Sequence, residues 1–99
     1  MLTISDIRQA NKAHGGKFFS AAAMRGFNSQ VLPTVYGGPG GVYFVTSERY
    51  QRQPRHFTVR RFDPDTSGIW TPYIEGRQCG RLSEYDAKAL AAELAEKGY

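Results

Sequence analysis

Two runs, Val42-Tyr-Phe-Val-Thr-Ser47 and Arg55-His-Phe-Thr-Val-Arg-Arg-Phe62, decide the fold. Both are rich in β-branched and aromatic residues and neither contains proline, so both read as strands. The neighbouring candidates, Val31–Tyr36 and Ile69–Ile74, contain Pro33 and Pro72. Proline cannot donate to a ladder and belongs on an edge, which makes the two proline-free runs the central strands. Gly37-Gly-Pro-Gly-Gly41 reads as a flexible hairpin tip and Arg49–Pro54 as a polar loop. Asp63-Pro-Asp-Thr-Ser-Gly68 supplies the turn before the last strand. The order is that of an antiparallel meander.

Helical patterns flank the strands. Ser5 is placed to cap a helix over Asp6–His14 that Gly15 stops, and Ser20 to cap a shorter one over Ala21–Arg25 that Gly26 ends. Phe18, Phe19, Met24 and Phe27 serve as its anchors. In the last segment Ser83 caps a helix with Asp86 three residues on, and Gly98 stops it. Ala87, Leu90, Ala91 and Leu94 form one apolar stripe, narrow enough for close approach to a sheet. Glu84/Lys88 and Glu93/Lys97 are spaced as i,i+4 ion pairs. The expected fold class is α+β: a three- to four-stranded antiparallel β-meander with short N-terminal helices and a C-terminal helix packed on one face. Residues 1–99 are read as a single domain.

Composition narrows the function. The 99 residues carry 13 Lys and Arg against 9 Asp and Glu, a net charge of +4, which leans toward an anionic partner. No apolar run approaches the ~20 residues of a membrane span, and no basic stretch followed by an apolar one opens the chain. A single cysteine, Cys79, excludes an internal disulfide and fits a reducing cytoplasm. His14, His56 and Cys79 lack paired ligand spacing, so no metal and no cofactor are expected.

The main local feature is cationic. Arg49, Arg52, Arg55, His56, Arg60 and Arg61 follow one another with no carboxylate between Arg49 and Phe62. Tyr50 lies within the stretch, and Tyr36 and Tyr43 flank the preceding turn. Along the strand Phe57 and Val59 point one way, His56, Thr58 and Arg60 the other. The expectation is a sheet with one face for the helices and one that presents guanidinium groups to a partner. Guanidinium forks match phosphates, carboxylates and guanine edges. The expected binding residues are Tyr43, Arg49, Tyr50, Arg52, Arg55, His56, Arg60 and Arg61. Read as exposed, Arg55, Arg60 and Arg61 should be replaceable by Ala at little cost in stability.

The glycine-rich tip lacks the Gly-Lys-Ser/Thr ending of a P-loop and precedes a strand, so it reads as a hairpin that can approach another surface closely. No spacing assembles a nucleophile with His56, and the chain is read as a non-enzyme. Cys79, although between Arg77 and Arg81, reads as a partly buried inert thiol. Trp70 reads as core.

The stretch Met24-Arg-Gly-Phe-Asn-Ser-Gln-Val-Leu-Pro-Thr-Val-Tyr-Gly-Gly-Pro-Gly-Gly-Val-Tyr-Phe-Val-Thr-Ser-Glu48, continued by Phe57-Thr-Val-Arg-Arg-Phe-Asp-Pro64 and the alanine-rich last helix, resembles a family of small uncharacterised proteins of phages and other mobile elements. Tyr73–Gly80 departs from the pattern, where a shorter and more acidic connection is expected. The resemblance implies a small accessory protein in the cytoplasm of a host bacterium and carries no catalytic residues over. By analogy of size and origin it implies an inhibitor or modulator of a host protein complex that handles nucleic acid, as anti-CRISPR proteins are. The partner expected is therefore a host protein or nucleoprotein complex, met by a monomer or weak dimer. A more distant architectural likeness is similar to the sheet-in-groove DNA-binding domains of the AP2 and phage-integrase arm-binding type. It implies direct nucleic-acid binding through Arg55, Arg60 and Arg61.

Overall fold

The computed structural model describes residues 2–27, 30–49 and 51–99, and of residues 26 and 27 the backbone alone. Helices α1 (Ile4–Ala13) and α2 (Ala21–Phe27) open the chain, and α3 (Glu84–Lys97) follows the strands. β1 (Gln30–Val31), β2 (Tyr36–Gly38), β3 (Gly41–Glu48), β4 (His56–Phe62) and β5 (Ile69–Trp70) form one antiparallel sheet. The fold is α+β.

The proline-free runs pair with each other from Val42↔Phe62 to Glu48↔His56 and lie at the centre of the strand order. Their outer edges are covered by short pieces. β3 is met by β2 at its start (Tyr36↔Tyr43) and by β1 at its end (Gln30↔Ser47). The strand expected over Val31–Tyr36 is thus two pieces. Pro33, which has no N–H and restricts Leu32, lies in the gap between them. β4 is met by β5 at one end and by the Cys79–Leu82 segment at the other. There Val59 N–H donates to the Cys79 carbonyl at 2.9 Å, and Phe57 and Leu82 exchange both backbone bonds. The last expected strand keeps only Ile69 and Trp70, ending before Pro72. Short edge pieces leave little ladder open to another chain.

All six residues from Tyr43 to Glu48 are buried. Successive side chains leave a strand on opposite sides, so such a run needs cover on both faces. On one face Tyr43, Val45 and Val59 pack with Ala87, Leu90, Ala91 and Leu94 of α3. On the other Phe44 and Phe62 pack with Ile7 of α1 and with Phe18 and Phe19. Phe18 meets Phe44 edge-on at 6.1 Å between centroids, and Phe19 stacks on it at 6.2 Å. The final helix occupies one face as expected. The second face is not open for binding, because the N-terminal segment covers it.

The caps follow the same local chemistry with one shift. Thr3, not Ser5, caps α1: its Oγ1 accepts from Asp6 N–H at 3.1 Å, and Asp6 Oδ2 accepts from Thr3 N–H at 2.9 Å. Ser20 and Ser83 cap α2 and α3, accepting from the N–H groups of Ala23 and Asp86. Glu84 and Lys88 pair at 2.7 Å, but Glu93 turns to Arg77 and not to Lys97, tying the 74–82 loop to α3.

The glycine-rich tip has its surface to approach within the chain. Gly40 N–H donates to the Ala95 carbonyl at 2.8 Å, satisfying one of the carbonyls left open at the end of α3. A Cβ at Gly38 would clash with the Ala95 carbonyl oxygen, and one at Gly40 with that of Leu94. Gly37 has open space around it.

Three outcomes are expected from urea unfolding. Phe44→Ala should cost about 3–5 kcal/mol through the cavity it leaves between sheet and N-terminal segment. Gly40→Ala should cost about 1–3 kcal/mol, and Gly37→Ala should stay within about 0.5 kcal/mol. The backbone N–H of Thr3 holds the Asp6 carboxyl below its usual range, and the Arg77 side chain does the same for Glu93. Stability from both is therefore complete near neutrality, and the unfolding midpoint should drop as pH falls through their depressed values.

Candidate functional site

The arginines of β4 divide between the two faces. Arg60 follows the Phe44 side and Arg61 the Tyr43 side, as alternation requires. A single arginine-bearing sheet face, on which binding through Arg55, Arg60 and Arg61 was expected, does not form.

Arg60 is built into the fold. Its Nη2 donates to Glu48 Oε1 at 2.8 Å, its Nε to Thr46 Oγ1 at 3.0 Å and its Nη1 to Thr71 Oγ1 at 2.6 Å. The guanidinium also lies 5.3 Å over the Phe18 ring. Glu48, only 5% exposed, further accepts from the hydroxyls of Thr46 at 2.7 Å and Thr58 at 2.9 Å. The stretch Arg49–Phe62 lacks a carboxylate, but the residue just before it supplies one. Buried charge is tolerated here because both partners are paired and hydrogen-bonded. His56 sits opposite Glu48 in the register and is half-buried.

Arg61 has no such partner. Its guanidinium carbon lies 5.6 Å from the ring centre of Tyr43, 5.8 Å from that of Trp70 and 5.6 Å from that of Tyr99. Among the described residues no carboxylate pairs with it, and its Nε is buried without a hydrogen-bond partner. Tyr43 is fully buried, with its hydroxyl donating to the Gly40 carbonyl at 3.0 Å, and burial pushes its pKa up. It is a core residue, not a partner-facing anchor. Trp70 is 40% and Tyr99 56% exposed. Trp70, expected in the core, instead forms the outer wall of this arrangement at the free edge of β5.

The remaining expected residues that the structure describes lie apart from it. Arg55 is half-buried and donates to Ser47 Oγ at 2.9 Å. Arg49 and Arg52 are exposed in and beside the loop, and Tyr50 lies outside the described residues. Cys79 is buried, and burial raises its thiol pKa, Arg77 opposing only in part. No group of three or more His, Cys, Asp or Glu among the described residues could hold a metal ion. No described helix is long and apolar enough to cross a membrane.

Sequence reading missed Glu48 and Tyr99. Glu48 had a legible signal, since Thr46 and Glu48 alternate onto the face that Thr58 and Arg60 occupy on the next strand. Tyr99 had none, because its place depends on how α3 is docked.

Arg60→Ala should cost about 2–3 kcal/mol in urea unfolding, since it leaves Glu48 buried without its cation. The exposed Arg52→Ala should cost no more than about 0.5 kcal/mol. Cys79 should resist thiol reagents in the native chain at neutral pH and react fully once it is unfolded.

Neither a curated protein nor a solved structure matches the chain. A family model does match, over residues 3–75, from the cap of α1 to just past β5. The chain therefore belongs to DUF7447, a family of unknown function.

Proposed function

We propose that the chain is a non-enzymatic binding protein that attaches to another protein through the edge formed by Arg61, Trp70 and Tyr99. The supporting observation is the Arg61 guanidinium held among aromatic rings with no carboxylate partner among the described residues, beside two half-exposed rings. Arg, Trp and Tyr are the residues that dominate interface energetics, and a held but unpaired guanidinium is prepared for an acidic group on a partner. Tyr73, three residues beyond Trp70 in sequence, is 82% exposed.

A protein partner fits this edge better than a phosphate backbone does. From Phe62 to Gly76 the chain carries Asp63, Asp65 and Glu75 and no Lys or Arg. Nucleic-acid affinity rests on several cations acting together, and here the arginine is followed in sequence by acids alone as far as Gly76. The mobile-element setting, in which such binding inhibits or modulates a host complex that handles nucleic acid, rests on the sequence resemblance alone.

The test is affinity capture from a bacterial host lysate with the wild-type chain, the Trp70→Ala/Tyr99→Ala double variant and Arg52→Ala. Urea midpoints serve as the folding control. The wild type and Arg52→Ala should recover one protein in stoichiometric amount, and the folded double variant should lose it. Recovery by all three chains, or tight binding of a short DNA duplex at physiological salt, overturns the reading.

A further inference from the structure

A cavity of about 350 Å³ opens on the α3 face of the sheet, at the end of the β3–β4 ladder away from Arg61. The β1–β2 connection, the end of β3, the approach to β4 and the start of α3 share its wall. Its size lies within the ~300–1,000 Å³ range of pockets that enclose small molecules.

Arg55 gives this wall its chemistry. It is half-buried, and its Nη1 donates to Ser47 Oγ at 2.9 Å. Ser47 is 1% exposed and is paired on both sides, with Gln30 of β1 and Phe57 of β4. The contact therefore pins the guanidinium to the middle of the sheet. Nε and Nη2 form no hydrogen bond among the described residues, and neither is sealed from solvent. With Nη1 occupied, the Nε–Nη2 edge is the side left open. Its two parallel N–H groups match the two oxygens of a carboxylate.

The charges in the wall leave one cation over. Lys88 and Glu84 pair with each other at 2.7 Å, and no described carboxylate pairs with Arg55. A monoanion balances that remainder, whereas the second charge of a phosphate would meet only the repulsion of Glu84. Leu32, Pro33 and Phe57 supply an apolar part of the wall, and Leu32 and Phe57 are held in place by packing on the α3 core. That surface gains from covering a hydrocarbon body.

We propose that this cavity binds a monocarboxylic acid with an apolar body. The carboxylate takes the Nε–Nη2 edge of Arg55, and the hydrocarbon lies against Leu32, Pro33 and Phe57. The requirement for both halves of the ligand distinguishes this site from a lone surface cation that attracts any anion.

The test is an NMR titration of the full chain with phenylacetate, with acetate and the neutral 2-phenylacetamide as separate arms. Saturable shifts confined to residues 30–34, 47, 55–57 and 84–88 are expected, with phenylacetate binding about ten-fold or more tighter than either control. Arg55→Lys keeps the charge and loses the planar fork, and should weaken phenylacetate about ten-fold or more at an unchanged urea midpoint. Should that variant lose stability, the comparison of the three ligands on the wild type decides the same point. Absence of saturation in the millimolar range, shifts elsewhere, or undiminished binding by folded Arg55→Lys overturns the proposal. So does equal affinity for 2-phenylacetamide or for acetate (an adventitious ion only).

Discussion

Complete burial of Tyr43–Glu48 is the constraint on which the structure depends. A strand submerged along its length must have both faces and both edges covered, and each part of the chain can be understood as meeting one of these needs. The α3 stripe covers one face, and α1 with the Phe18–Phe19 pair covers the other. Two short strands close the outer edge of β3. β5 and the Cys79–Leu82 segment close that of β4. A chain of 99 residues can bury a central strand this fully only by spending nearly all its remaining elements on cover.

The same constraint separates neighbouring arginines into different chemistry. Arg60 and Arg61 differ by one position on β4, and the pleat delivers them to opposite environments. On the Arg60 side a buried carboxylate and the hydroxyls of Thr46 and Thr71 accept its hydrogen bonds, so the charge is neutralised internally. On the Arg61 side the neighbours are rings, which attract the cation without consuming its hydrogen-bonding capacity. The first guanidinium holds the sheet together, and the second remains available.

Much of this architecture is legible in the sequence, and the limits have physical causes. Prolines 33 and 72 identify the central strands because a missing N–H is a local property. The α3 stripe is legible because helical spacing repeats over fourteen residues. Which faces are covered is a non-local matter, and the continuous run Val42-Tyr-Phe-Val45 was its one local sign, being unbroken where a half-exposed strand alternates. The glycine tip illustrates the gap as well. Its composition announces close approach to a surface, but only the packed structure shows that the surface is the end of α3. Thr3 and Ser5 are both competent caps, and the reciprocal bond from Asp6 selects the earlier one.

Tyr99 rests against Arg61 while lying just past the glycine that stops α3. Whatever is covalently joined to its carboxyl, whether a purification handle, a reporter or further polypeptide, starts its path from a residue whose ring lies 5.6 Å from that guanidinium. Fusions at this end would crowd the aromatic edge by simple geometry, whereas attachments ahead of Thr3 begin beside α1, on the other side of the sheet.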